Sequence, residues 1–398
     1  MKRKKKTRTL IACATVLAGL ILGATRGDAH KPITSKYTYA DDVFPIFRDR
    51  CGACHVAGGA APMSLLTYQE AVPWAVAIRD ELMAAHMPPW DAEDGFGQLK
   101  NAHTLSASEL DAILVWANGG TPQGDRTKKL PAPALEHTWA LGPPDVALQM
   151  PSAFTLPADK LEDTREFVLP TGTALDSERW IRAIDLLPGT PAIVRNAVVS
   201  IGGQTEVRLG SDPGLTGVRP GSDPEVLMLW TPGERPVPTP PGAAFHLPAH
   251  AELVLRIHYK KTWQYEGTAV SDRSQVGLYF AGRPGDREVR TLALTGTAPP
   301  GRPMTFSRAL DREIEALALR ADAGQPDVTL QIEAVRPNGS RIPMIRLTPR
   351  PDWQRRYWFE RPLSLPRGSR IDVTARQSGP ASAGAAPIHV AVDFVSRY

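Results

Sequence analysis

Cysteine is almost absent from this chain: three residues in 398, at positions 13, 51 and 54. That scarcity excludes a disulfide-stapled scaffold. It also excludes a four-cysteine zinc site, because Cys13 falls in the N-terminal leader and a single pair remains. Histidine is scarce too, with nine copies, and no two of them stand as His-x-His or in an HExxH frame. A nucleophile elbow, a phosphate-binding loop and an EF-hand loop are likewise missing. Most familiar routes to hydrolytic or phosphoryl chemistry are therefore closed.

Net positive charge is confined to the start. Residues 1–29 carry Lys2, Arg3, Lys4, Lys5, Lys6 and Arg8, then an apolar run from Leu10 to Ala24, then the small residues Gly27-Asp28-Ala29. This is the pattern of an export signal peptide. The apolar run is shorter than the ~20 residues of a membrane span, although an uncleaved leader would still serve as a membrane tether. Cys13 lies too early in the run to be a lipid-attachment cysteine. The whole chain carries +4; the leader holds seven basic residues against one acid, a contribution of +6, which leaves −2 for residues 30–398. The basicity belongs to the leader, so nucleic acid is not an expected partner. Export to the periplasm is the expected location.

What remains is concentrated in five residues, Cys51-Gly52-Ala53-Cys54-His55. Two cysteines three apart, followed directly by histidine, form the attachment signature of a c-type haem. The spacing lets each thiol reach one vinyl group of the porphyrin, and His55 then supplies an axial imidazole to the iron. A zinc half-site would need a second pair of ligands, and a thioredoxin-like pair would need a βαβ setting.

The flanking sequence fits a small helical domain. Asp41 or Asp42 can cap a helix through Val43–Arg50, with Pro45 tolerated near its first turn. Tyr68–Ala85 places Ala71, Trp74, Ala75, Ile78 and Leu82 at helical spacing. It stops at His86-Met87-Pro88-Pro89-Trp90, where paired prolines cannot continue a helix and the Met87 thioether is offered as the second axial ligand. Met63, His86 and His103 compete for that role. Ser106 and Glu109 form a capping box for a third helix, closed by Gly119-Gly120. The segment 38–125 resembles the class I-like c-type cytochrome domains of bacterial periplasmic proteins, through Cys51–His55, Met87–Trp90 and the helix 105–120.

Residues 126–139 read as a linker. Beyond it, proline and glycine recur and short runs dominate: 192–201, 226–230, 252–259, 276–280, 328–335, 355–359, 370–375 and 389–394. Regular short strands between turn signals predict all-β sandwiches, here two, at 140–285 and 286–398. The stretch 310–320 has helix-like composition but is read as strand. The fold class expected is thus a small all-α domain followed by two all-β sandwiches.

This β region resembles the tandem jelly-roll pair of ascorbate-dependent type II copper monooxygenases, the peptidylglycine and dopamine hydroxylase superfamily, which implies that the two all-β sandwiches are tandem jelly rolls. The matching stretches are Leu253–Tyr259 in the first half, and Trp353–Phe359 with Leu365–Ser369 in the second. The resemblance implies one copper held by three histidines and another by a His-x-His pair and a methionine. His258 falls on one first-half ligand position. The paired histidines of that half are replaced by Arg195-Asn196, and the second-half pair by Ala309-Leu310-Asp311-Arg312-Glu313. Met304, Met344 and His389 are left without partners. His246, His250 and His258 are expected in one hairpin, as turn, surface and retained strand residues respectively.

The function expected is therefore single-electron transfer by a periplasmic c-type cytochrome, with haem c as cofactor at Cys51, Cys54, His55 and Met87. Its copper-monooxygenase-like region is expected to have lost its copper sites, leaving His258 as a remnant. The partner would be a redox protein or a small electron donor or acceptor. The alternative is a haem-fed copper monooxygenase acting with O2.

Overall fold

The computed structural model describes residues 34–102, 104–131, 133–135, 137–202, 225–281, 287–325, 327–378 and 385–396. The leader and His103 lie outside the described residues. Among the described residues a small helical domain precedes two β-sandwiches, each built on eight main strands, as the composition change near residue 126 suggests.

Helix α1 spans residues 39–51 and winds in wide turns at Tyr39–Val43 and Phe47–Cys51, with one regular turn between them. Its cap is Thr38, not Asp41 or Asp42. The Thr38 hydroxyl accepts the Asp41 N–H at 3.3 Å, while the Asp42 carboxylate accepts the Thr38 N–H at 2.8 Å. Helix α2 spans residues 68–83. Pro73 tightens it to a 3₁₀ turn over Val72–Trp74 before it resumes as Ala75–Met83, because proline cannot donate the hydrogen bond an α-turn needs there. Helix α3 is Ala107–Asn118, and its capping box forms as Ser106 and Glu109 predict. Tyr39, Phe47 and Trp116 meet at centroid distances of 6.1–6.3 Å and make the aromatic centre of this domain. The Tyr39 hydroxyl donates to the Leu65 carbonyl at 2.8 Å, so its buried polar end is satisfied.

Each sandwich has one strand order. In the first, one sheet runs Val146–Gln149, Gln275–Phe280, Arg179–Leu187, Ala243–Leu247, with Arg287–Glu288 added at the edge. The facing sheet runs Glu162–Leu169, Leu253–Lys260, Val194–Ile201, Glu225–Trp230. In the second, Arg290–Ala298, Ala386–Ser396, Ile314–Ala323 and Tyr357–Leu365 face Met304–Ala309, Arg370–Gln377, Val328–Val335 and Arg341–Leu347. Counting its eight main strands in chain order, each unit reads 1-8-3-6 against 2-7-4-5, which is the double Greek key of a jelly roll. The stretch 310–320 contributes to strand Ile314–Ala323, which is buried through Ala316–Leu319 around a bulge between Ala316 and Ala318.

The jelly rolls meet along a continuous apolar seam, where Leu317, Ala318, Trp358 and Val395 of the second join the core of the first. The helical domain is strapped onto this pair. Residues 86–100 leave α2 and lie along the second jelly roll, with bridges Ala92–Leu347 and Leu99–Phe359. Arg350 Nε donates to Asp91 Oδ1 at 2.6 Å, and Arg346 Nη1 to Glu93 Oε1 at 2.9 Å. Gly97 is required in this strap: its φ is +89°, and a Cβ there would stand 2.1 Å from the Met344 carbonyl oxygen.

Candidate functional site

The five-residue motif continues α1 for one more turn. The Cys54 and His55 amides both donate to the Cys51 carbonyl, at 3.1 and 2.8 Å. Both cysteines are free thiols and half-buried. Burial pushes the Cys51 thiol up to about 12 and the Cys54 thiol up to about 11. A redox dithiol or a nucleophilic cysteine needs the opposite shift.

The chain after the motif folds back to fix the imidazole. The Ala61 amide donates to the Cys54 carbonyl and the Leu65 amide to the His55 carbonyl. This brings the Met63 carbonyl oxygen 3.1 Å from His55 Nδ1. The carbonyl can only accept, so the proton is held on Nδ1 and the lone pair on Nε2 stays free for a metal. Burial pulls the His55 pKa down, which keeps the ring in its neutral, ligating form.

Cys54 faces the first jelly roll. Its Sγ donates to the Pro232 carbonyl at 3.4 Å. Gly233, at φ +80°, lets that loop approach: a Cβ there would meet Cys54 Sγ at 3.1 Å and the Ala53 Cβ at 3.2 Å. Sequence reasoning did not single out this loop or Glu234; it named Arg195 only as the replacement of a histidine, and Arg355 only within a matching stretch, not as a buried charge. A charged side chain carries no mark in sequence that tells burial from solvation. Burial pulls Arg195 down to about 10 and raises the Glu234 carboxyl.

Met87 stands just past α2 with its side chain 37% exposed. Its backbone neighbours are anchored, since Arg350 Nη1 donates to the His86 carbonyl at 3.1 Å and Arg355 Nη2 to the Pro89 carbonyl at 2.8 Å. Of its competitors, Met63 packs against the helical core, and His86 is exposed beside Glu81, with Nδ1 3.1 Å from Oε2.

On the β side, His258 lies on strand Leu253–Lys260, directly opposite Asn196 and Thr164. Its Nδ1 is 3.0 Å from Thr164 Oγ1, and burial lowers its pKa. Asn196, at one of the two positions the resemblance gives to paired histidines, is thus its cross-strand neighbour, and Arg195 is the extra residue of a bulge. The expected hairpin holding His246 and His258 does not form. Strand Ala243–Leu247 pairs with Arg179–Leu187 in the opposite sheet, because Pro248–Ala251 carry the chain across the sandwich. There His246 packs on Trp180 at 4.9 Å and meets Glu178 at 3.2 Å. His250 is in a turn at φ +58°. Met344 is fully buried in the second core, and His389 is exposed on strand Ala386–Ser396. Among the described residues no three His, Cys, Asp or Glu side chains come together as a metal site. Among them, too, no helix is long and apolar enough to cross a membrane.

No family model matches this chain, and no curated protein does. Among solved structures, the major capsid protein P2 of bacteriophage PM2 is similar at 9% identity, covering 64% of this chain and 97% of its own, with a TM-score of 0.29. Peptide N-glycanase F is similar at 10% identity, covering 63% and 96%, with a TM-score of 0.28. These likenesses carry no functional weight, and the jelly-roll assignment rests on the strand orders above.

Proposed function

We propose that the chain is an exported c-type cytochrome that passes single electrons through a haem attached at Cys51 and Cys54. The observation that carries this reading is the orientation of His55. Its Nδ1 is tied to the Met63 carbonyl at 3.1 Å, which leaves Nε2 as an axial donor one residue after a free cysteine pair.

Bound haem c supplies a one-electron ferric/ferrous couple. The chain's own residues do the rest. Cys51 and Cys54 would hold the porphyrin by thioethers, and His55 would offer its Nε2 to the iron, since its Nδ1 is taken by the Met63 carbonyl. Met87 would be offered as a further ligand. The first jelly roll approaches Cys54 through Pro232 and Gly233. Electrons come from, or go to, a redox protein or a small donor or acceptor. The copper-monooxygenase alternative is the weaker reading, because its histidines lie in opposite sheets and Met344 is locked in a core.

Haem staining after denaturing electrophoresis tests the proposal. The wild type should stain, and Cys51→Ala/Cys54→Ala should not. An unstained wild type, purified from a host that matures c-type cytochromes, overturns it.

A further inference from the structure

The first jelly roll meets the attachment motif through a tight turn at residues 231–234, directly after strand Glu225–Trp230. The Glu234 amide donates to the Thr231 carbonyl at 3.1 Å. The Thr231 hydroxyl donates to Glu234 Oε2 at 3.1 Å, so backbone and side chain both close the turn. Its tip is Pro232-Gly233. The Cys54 thiol donates to the Pro232 carbonyl at 3.4 Å, and Thr231 and Pro232 are both buried. The approach is close, since a Cβ at Gly233 would stand 3.1 Å from Cys54 Sγ.

The other side of this turn is backed by empty space. Glu234 and Val237 line a cavity of about 40 Å³ at the seam, with Phe245 of the first jelly roll and Arg356 and Trp358 of the second. That is room for an ordered water, in a protein interior that is otherwise close-packed. A segment with a void behind it can open without first displacing other side chains. Arg356, on the far wall, donates to the carbonyls of Leu227 and Val226, both at 2.7 Å, on the strand that leads into the turn. The turn therefore stands between the attachment cysteine and the contact that joins the jelly rolls.

Covalent attachment changes this contact. The Cys54 thiol adds across a porphyrin vinyl group: the S–H bond breaks, a new S–C bond forms to one vinyl carbon, and the hydrogen goes to the other. No oxidant is consumed and nothing leaves. A thiol can donate a hydrogen bond, but the thioether that replaces it has no hydrogen to give. The buried Pro232 carbonyl then faces a sulfur that can only accept, which disfavours the closed contact. We propose that residues 231–234 form a loading switch, closed on the Cys54 thiol in the unattached chain and released toward the seam cavity when that thiol becomes a thioether. The seam between the jelly rolls then reports whether haem is attached at Cys54. This rests on the haem reading above.

Hydrogen exchange of the full-length protein, followed by mass spectrometry, tests this. The comparison is between haem-bearing wild type and haem-bearing Cys54→Ser, in which Cys51 alone holds the porphyrin and a hydroxyl remains to donate to Pro232. Amides of residues 231–237 should exchange roughly fivefold faster in the wild type, the factor that corresponds to one ordinary hydrogen bond. Strand Val328–Val335, in the second core, should exchange equally in both. Equal exchange at 231–237 overturns the inference and leaves the haem reading standing. Should Cys54→Ser not take up haem, the unattached proteins carry the test. There Cys54→Ala, which has no donor, should exchange at 231–237 roughly fivefold faster than Cys54→Ser, and equal rates overturn the inference. A wild type without covalent haem overturns both readings.

Discussion

Arg356 Nε lies 2.7 Å from Asp393 Oδ2, and the two side chains are 5% and 0% exposed. The same guanidinium donates through Nη1 and Nη2 to the carbonyls of Leu227 and Val226, both at 2.7 Å, across the seam between the jelly rolls. Thr291 Oγ1 donates to Asp393 Oδ1 at 2.7 Å. The pair is therefore hydrogen-bonded on both sides, the condition under which a buried ion pair persists.

Asp393 also meets Arg320 Nη1 at 3.6 Å, so removing Arg356 leaves Asp393 one long ion pair, whereas removing Asp393 leaves Arg356 buried without a carboxylate. Arg356→Met should destabilise the protein by about 3–5 kcal/mol, with Asp393→Asn acting in the same direction. The double variant should lose less than the sum of the two, because the two substituted side chains are in direct contact and their effects couple. Denaturant unfolding followed by circular dichroism measures all three. A loss below ~1 kcal/mol for Arg356→Met would mean that this contact does not hold the jelly rolls together.

Local rules were readable in this chain where one residue acts on its neighbours. Ser106 and Glu109 specify the start of α3 because a capping box spans only four residues. The same logic failed by a few positions at α1, where Thr38 outcompetes two aspartates: its hydroxyl takes one amide while Asp42 takes its own. At α2 the apolar spacing on either side of Pro73 is helical and hides the tightened turn, which preserves that face. The alternating runs marked strands correctly in kind. They could not say which sheet each strand joins, because jelly-roll neighbours are mostly distant in sequence. His246 and His258 were separated on that account. The strap of residues 86–100 was invisible for the same reason, since its partners Arg346 and Arg350 lie about 250 residues away.

The assignment of Met87 leads to a spectroscopic prediction. Met87→Ala should remove the thioether-to-iron absorption band of the oxidised protein and lower its reduction potential, because thioether ligation favours the ferrous state. Met63→Ala should leave the band in place, since the Met63 contact with His55 is made by its backbone carbonyl. His86→Ala should also leave it, because that ring is exposed and held beside Glu81. A band that survives Met87→Ala and vanishes with Met63→Ala would transfer the ligand assignment.

The copper question turns on how few nitrogen donors the first jelly roll brings to His258. Its nearest cross-strand neighbours are Asn196 and Thr164, and Thr164 Oγ1 stands 3.0 Å from Nδ1. An amide and a hydroxyl are poor copper ligands, and tight sites need several converging imidazole or sulfur donors. A hydroxylase also needs a metal with an open position beside its substrate. The second jelly roll supplies a thioether at Met344 that is sealed in its core, and a single imidazole at His389 on the outer face. Copper added to the full-length protein should therefore bind weakly and exchange freely, and His258→Ala should change the titration little. Oxygen uptake with a chemical reductant should not depend on copper. Sub-micromolar binding of two copper ions, lost in His258→Ala and accompanied by copper-dependent oxygen uptake, would establish instead that the β region retains the chemistry of the enzymes it resembles.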